Sequence, residues 1–489
     1  MTLRTADVVA PPRGFRRLSL TGWGLFFFAV SASAPLTVLV GGVLGAFAVT
    51  GVVEVPAAFV LLTALLLLVW VGHVGMARHV RHSGPLYAHV AQGLGVVPAL
   101  GAVPVVLLSY NAIQGCLYGL LGQTLSDFGL GPWWVWALVG WALMALLGLA
   151  QVTVTARTLA FLLGIELVVV GTFAVFGVVD AGSVSTAPLA LGSLFGQDGA
   201  GSVLALAVAC FVGVETTLAF AEEAVSHRTL VRASFGSLVF LGLLYRLAAW
   251  AVTAVTGVDD VGTAAATQGV NIVFNVVADH LGLLGFVLAQ MFLVTSIFAA
   301  GLSFHQTIGR YVFTLSRERL LPARLGFLTP RTGAPVGGSL AQSAVGLGVI
   351  AVTALGGFSP MGMFYTLAAL AAVGVMSLLA LNGWAAAAYF ARRRRGGATR
   401  RLLPALGGLG MAAVVFVTVG NLHAMTGAAP GSWQVWLLPG IVAATALGGL
   451  VWGAIIVTSR RDIAAGVGRG ETEPLAVLDA HLLPYGERL

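Results

Sequence analysis

Residues 201–221, GSVLALAVACFVGVETTLAFA, decide how the chain is read. The run is long enough to cross the hydrocarbon core of a bilayer, for which about 20 apolar residues suffice as a helix. Near its middle, however, stand Cys210, Phe211, Gly213, Glu215, Thr216 and Thr217. A carboxylate at membrane depth is costly, so Glu215 argues for a task. The first apolar run, 22–49, carries a comparable interruption, Ser31-Ala32-Ser33-Ala34-Pro35, followed by Gly41-Gly42. Interrupting a helix frees backbone N–H and C=O groups that lipid cannot satisfy, so they must face protein, substrate or ion. Taken singly, each interruption is equally well explained by close helix packing, where small residues are common. Their matched positions favour a binding site.

Working outward, the same hydropathy criterion gives roughly twelve spans: 22–49, 56–77, 96–122, 132–150, 156–179, 201–221, 234–256, 281–304, 337–356, 361–388, 404–422 and 434–457. The two interrupted spans lie five apart. An odd offset inverts the second copy, and inverted repeats with broken helices at matching positions point to the central site of a transporter. The expected organisation is an N-terminal segment 1–21, a ten-helix core 22–388, two further helices within 389–457, and a polar tail 458–489 holding Pro474 and Pro484. Segment 78–95 reads as a half-buried interfacial piece, and 305–335 as a mixture of helix and loop.

Charge fixes the topology. All 25 basic residues are Arg, and all but Arg246 fall in connectors that would face one side. The intervening connectors carry only acids: Glu54, Asp127, Asp180, Asp198, Asp259, Asp260 and Asp279. Arg is retained on the cytoplasmic face of membrane proteins, so both termini are expected there, in a multi-pass protein of the cell membrane. With 9% charged residues and a mean hydropathy of +0.97, the chain needs lipid as its solvent, since soluble domains have about 25% charged residues. The net charge of +7 belongs to lipid headgroups and topology rather than to nucleic acid. Cys116 and Cys210 both fall inside spans, which suggests neither a disulfide framework nor a metal motif. The first 20 residues lack the apolar core of a cleaved signal. No cofactor is expected.

Several intramembrane residues are candidates for chemistry. Glu215 is the first choice for proton coupling, with a structural acid bonded to freed N–H groups as the alternative. Glu166 lies in the fifth span and is the second candidate acid. Arg246, in the seventh span, is a candidate partner for either acid, or else reaches a small water pocket. Tyr110, Asn111 and Gln114 lie about one turn apart in the third span and offer hydrogen bonds to a substrate or to a neighbouring helix. Thr295 and Ser296 form a candidate ion site. Tyr365 and Thr366 are a gate or an interfacial anchor. The half-helix starting near Ser33 to Leu36 would present positive N–H groups suited to a carboxylate, with Glu215 and freed carbonyls facing an ammonium. The substrate site is thus expected at Ser31, Ala32, Ser33, Ala34, Pro35, Tyr110, Asn111, Cys210, Phe211 and Gly213. An enzyme would need a metal or base cluster; the acidic doublets Asp259-Asp260 and Glu222-Glu223 read instead as solvated loop charge.

Three stretches resemble the amino acid–polyamine–organocation (APC) superfamily of secondary transporters. FVGVETTLAFAEEAVSHRTLVRAS at 211–234 is similar to its sixth helix and following loop, an F-x-G-x-E core with an acidic pair and a P-x-R-x-x-P-R-A-like turn; His227 stands where the first Pro is usual. HQTIGRYVFTLSRERLLPARLGFLTPRTGAPV at 305–336 is similar to the segment after helix eight, N-x-x-x-R-x-x-Y/F-x-x-x-R-D-x-x-L-P, with His305 or Gln306 in place of Asn and Glu318 at the acidic position. SGPLYAHVAQGLG at 83–95 resembles the G-G-x-Y-x-Y/W after helix two. The first helix departs from the common G-x-G pattern. The resemblance implies an all-α membrane protein with a five-plus-five inverted repeat and two extra helices. It implies a substrate site between helices one, three, six, eight and ten, and transport of amino acids or amines by proton symport, sodium symport or exchange. It also places an acid linked to proton sensing at Glu215. Some relatives hold a Lys near position 166 in place of a sodium ion; here the sign is reversed. A carrier-fold sensor is the non-transporting alternative, and the oligomeric state is not indicated.

Overall fold

The computed structural model describes residues 20–182, 184–329, 333–393 and 397–469. The expectations for Arg4, Arg13, Arg16, Arg17, Arg331, Arg394, Arg395, Pro474 and Pro484 lie outside the described residues. Among the described residues eleven helices are long and apolar enough to cross a membrane, and a shorter apolar helix, Trp133–Gly148, makes the fourth span. In order the others are Gly22–Thr50, Val55–Ala77, Val96–Asp127, Val152–Val179, Ala200–Phe220, His227–Thr256, Asn271–Arg317, Val336–Leu355, Pro360–Arg392, Thr399–Gly420 and Trp433–Ser459. Among the described residues the only strand-type pairing is an isolated parallel bridge between Leu20 and Ala224. The described residues form an all-α, multi-pass membrane protein.

Both interruptions are built as their residues dictate. Pro35 has no N–H to give and its ring blocks the preceding turn. The first span therefore stops at Ala32 and restarts at Pro35. Ala34 between them is held at φ 43°, ψ 70°, a left-handed conformation that costs a residue with a Cβ about 1–2 kcal/mol. The restart then widens into a π-turn over Val38–Val43, at Gly41-Gly42. In the sixth span the α-helix ends at Ala209, and a tighter 3-10 helix resumes over Val214–Phe220. Gly213 joins them at φ 113°, and a Cβ there would meet the Ala32 carbonyl carbon at 2.8 Å. A glycine is required because the two interruptions touch each other, backbone to backbone.

Lipid tails supply no hydrophobic drive between helices, so close approach of small residues does the packing. Gly383 meets the Gly408 backbone at the tenth–eleventh crossing, and Gly453 meets Val97 where the twelfth span crosses the third. Segment 78–95 differs from expectation. Its helix Pro85–Leu94 is buried from Pro85 to Val90 rather than half-buried, because Gly93 seats on the Ala385 backbone and Asn382 Nδ2 donates to the Leu86 carbonyl at 2.9 Å. The eighth span also runs further than hydropathy suggests. Gly282 (φ 68°) divides off a leading helix, and the remainder continues to Arg317.

That extension delivers Arg310, Arg317 and Glu318 to the Arg-rich face, where they close the molecule. Arg310 forks onto Glu223, Nε to Oε2 at 2.6 Å and Nη2 to Oε1 at 3.0 Å, and lies over the Phe220 ring at 4.3 Å. Arg317 forks onto Glu222 with both bonds at 2.8 Å, and Ser83 N–H donates to the same carboxylate at 2.9 Å. Glu318 accepts from Tyr87 Oη at 3.1 Å and Gly468 N–H at 2.9 Å, and pairs with His82 at 2.7 Å. Leu20 N–H donates to the Glu223 carbonyl at 3.0 Å. The reading of Glu222-Glu223 as solvated loop charge is therefore wrong. The side chains are only 5% and 4% exposed, because Arg residues 87 and 95 positions downstream fold over them. Arg246, the other expected ion-pair partner, is half-buried on the seventh span and pairs with neither Glu166 nor Glu215 among the described residues.

Removing one member of a buried pair strands the other, at a cost of about 3–5 kcal/mol. Arg310→Ala should therefore lower the thermal unfolding temperature in detergent markedly, and Arg310→Lys should recover only part of the loss because an ammonium cannot fork. Arg319→Ala, whose pair with Asp462 is exposed on both sides, should change little.

Burial alone would push the Glu222 carboxyl up, but the Arg317 fork, His82 and the Ser83 N–H outweigh it and hold the group below the ordinary carboxylate range. The pairing then stabilises fully above the unfolded Glu value of about 4.3 and is lost as pH falls from there through the lower folded value. The stability difference between wild type and Glu222→Gln should shrink over that acid window; a difference independent of pH would refute it.

Candidate functional site

The amides freed at the first interruption can be followed one by one. Ser33 N–H donates to the Ala29 carbonyl at 3.2 Å and Ala34 N–H to the Ser31 carbonyl at 3.1 Å. Pro35 has none. Leu36 N–H donates to Glu166 Oε1, and Thr37 N–H to Ser296 Oγ at 3.3 Å. Val38 N–H returns to the Ala34 carbonyl at 2.9 Å. Ser296 Oγ also donates to Glu166 Oε1 at 2.7 Å and lies 2.9 Å from Thr37 Oγ1. A carboxylate from the fifth span and a hydroxyl from the eighth thus cap the restarting helix, where its N–H groups and dipole favour negative charge. The expectation that these N–H groups wait for a substrate carboxylate is overturned: the chain fills the position with its own Glu166. Glu166 is fully buried, and among the described residues its Oε2 has no hydrogen-bond partner.

The second interruption is capped from within. Glu215 Oε2 accepts from Gly213 N–H at 2.9 Å, two residues back. Thr216 Oγ1 donates to the Gly213 carbonyl at 2.6 Å and Thr217 Oγ1 to the Val214 carbonyl at 3.0 Å. The Tyr110 side chain of the third span lies beside the Glu215 carboxyl, and its ring is edge-on to Tyr311 at 5.6 Å. Glu215 is fully buried, and among the described residues its Oε1 has no hydrogen-bond partner.

Where the interruptions meet, a cavity of about 130 Å³ opens. Ala32, Ser33, Ala34 and Cys210 of the expected set line it; Ser31, Pro35, Tyr110, Phe211 and Gly213 do not. Thr37 and Val212, not singled out in the sequence, also line it. It extends past Gly41, Leu206 and Tyr365, toward the face opposite the Arg-rich one. Asn111 turns away, accepting from Gln342 Nε2 at 2.9 Å. It borders a larger crevice of about 700 Å³ between the third, ninth and tenth spans, together with Thr366. That crevice has almost wholly apolar walls and touches neither interruption nor either buried acid, so the smaller cavity is the candidate site. Gln114 joins a separate buried network with Tyr118, His305 and Gln342. Of the Thr295–Ser296 pair only Ser296 faces the interruption, since Thr295 Oγ1 donates to Phe292 in its own helix at 3.0 Å. Among the described residues no group of three or more His, Cys, Asp or Glu is placed to hold a metal ion.

No curated protein matches the chain. Residues 20–447 match the amino acid permease family, a match that includes both interruptions, the 78–95 segment and the charged lock. A family match over most of the chain, together with helices broken at the first and sixth spans around a common cavity, makes this protein a transporter rather than an enzyme: it belongs to the amino acid permease family of the APC superfamily.

Proposed function

We propose that the chain is a secondary active permease that carries amino acids or related amines across the cell membrane, coupled to protons, by alternating access. The observation that carries this reading is the cavity at the paired interruptions, open on one side while forked Arg–Glu pairs seal the other. That is one limit of an alternating-access cycle. The Arg-rich face is cytoplasmic by the positive-inside rule, with both termini on that side. Glu215 is the coupling acid. It is bonded to the backbone of the broken helix through Gly213 and lies beside Tyr110 of the third span, so a change in its charge is felt by two elements that must move. Glu166 is the second acid. A proton is favoured over sodium because Ser296, the hydroxyl of the candidate ion site, is already bonded to Glu166 and Thr37.

Uptake of a labelled amino-acid and amine panel into proteoliposomes, with and without an inward proton gradient, tests this. Gradient-driven accumulation in wild type should be abolished in Glu215→Gln, which keeps an oxygen for the Gly213 N–H but cannot change charge. Uptake that ignores the gradient and needs internal substrate would make the protein an exchanger. Protein-independent flux across the whole panel would leave a carrier-fold sensor.

A further inference from the structure

We infer that the transported substrate is a small organic amine bearing no carboxylate. The inference rests on the reading that the cavity at the paired interruptions is the transport site. It follows from the hydrogen-bonding character of the walls.

The walls offer almost no donor. Of the first-span residues at the cavity, Ser33, Ala34, Thr37 and Val38 all have their amides committed, to Ala29, Ser31, Ser296 and Ala34. From the sixth span, Cys210 N–H donates to Ala207 at 3.2 Å and Val212 N–H to Ala209 at 3.1 Å. The lining hydroxyls and thiols are taken as well: Ser33 Oγ donates to Ala29, Cys116 Sγ to Ile113 and Cys210 Sγ to Leu206, and Thr37 Oγ1 pairs with Ser296. No Arg or His lines the space. Among the described residues that line the cavity, the one remaining donor is the hydroxyl of Tyr365, a residue 45% exposed at the mouth.

Acceptors, by contrast, are in excess. Among the described residues no donor is directed at the carbonyls of Ala32, Cys210 or Val212, and all three residues line the cavity. One residue behind the wall on each side stands a buried carboxylate. Glu166 is bonded to Leu36, next to Thr37, and Glu215 to Gly213, next to Val212; each keeps one unpartnered oxygen. An ammonium brings three donors and no acceptor, the complement of this surface. A carboxylate brought into the same space would be buried without a donor and against two acids, which costs several kcal/mol. An α-amino acid carries both groups, and only its ammonium has a counterpart here. The volume, about 130 Å³, is well under the roughly 300–1,000 Å³ of sites for drug-sized ligands, so the amine is short and its remainder aliphatic.

Matched pairs of an amino acid and its decarboxylated amine test the inference: alanine with ethylamine, valine with isobutylamine, leucine with isopentylamine. Labelled amine exchange is measured in proteoliposomes without a pH gradient and counted only above protein-free liposomes, because neutral amines cross lipid unaided. Saturable exchange of at least one amine is expected, with its parent amino acid competing more weakly by on the order of a hundredfold or more, as for a group left unpaired in a binding site. Glu166→Ala, which releases the Leu36 N–H and the Ser296 hydroxyl, should narrow that gap. If this variant does not fold, the wild-type pairs decide alone. An amino acid exchanged or competing as well as its amine overturns the inference and leaves the permease reading standing. Protein-dependent flux of neither member of any pair overturns both.

Discussion

A helix interrupted inside hydrocarbon survives only if every exposed amide finds a partner, and in the first span that partner is Glu166. Its bond to Leu36, with Ser296 closing on Thr37, ties the restarting half of the first span to the fifth and eighth. Tyr245 from the seventh span adds a third tether by donating to the Ser33 carbonyl at 3.0 Å. Ala34 can be held in the left-handed region because these flanking bonds over-determine it, which is the condition under which strained backbone persists. The sixth span solves the same problem differently, with a carboxylate two residues from the amide it caps. One interruption is therefore anchored to the surrounding scaffold and the other is self-contained. The self-contained one is free to shift against its neighbours without breaking its cap.

That difference connects the site to the closed face. The resumed helix Val214–Phe220 leads directly into Glu222 and Glu223. Phe28 of the first span packs on Phe220 at 4.1 Å, and Arg310 covers the same ring. A second line runs from Glu215 through Tyr110 to Tyr311, whose hydroxyl accepts from Leu86 N–H at 3.3 Å. Leu86 lies in the first turn of the buried helix Pro85–Leu94, close to Ser83 and Tyr87, which hold Glu222 and Glu318. On the proposed alternating-access reading, a shift of the sixth span at Glu215 would reach both forked pairs through these contacts. Packed interfaces of this kind switch between discrete arrangements rather than deforming gradually.

The sequence made the spans legible because hydropathy and length act locally, and it made the interruptions legible because Pro35 and Gly213 have few other uses at those depths. Glu215 and Glu166 stood out for the same reason: an acid in lipid is conspicuous. What the acids bind was not legible. Glu166 caps an amide 130 residues away, and nothing near Leu36 announces it. Glu222 and Glu223 looked solvated because an acidic pair in a connector usually is; their burial depends on how far the eighth helix continues, which hydropathy understates once Arg310 enters the window. Arg246 showed the converse, a charge whose conspicuous position did not bring it a partner among the buried acids. Local physics fixed the elements, and long-range pairing fixed the chemistry.

Two acids at one small cavity also bear on coupling. For a cationic substrate, a carrier with a single acid is obliged to exchange, because proton and ammonium neutralise the same group and exclude each other. Here Glu166 and Glu215 cap separate amides on separate helices, and neither is bonded to the other. A proton held at Glu215 does not consume the negative charge that Glu166 keeps behind the opposite wall. On the proposed reading, proton and ammonium would then travel together, each compensated by its own carboxylate. On the proposed reading, the charge that makes this chain costly to bury would also be what lets it move a cation through lipid along with a proton.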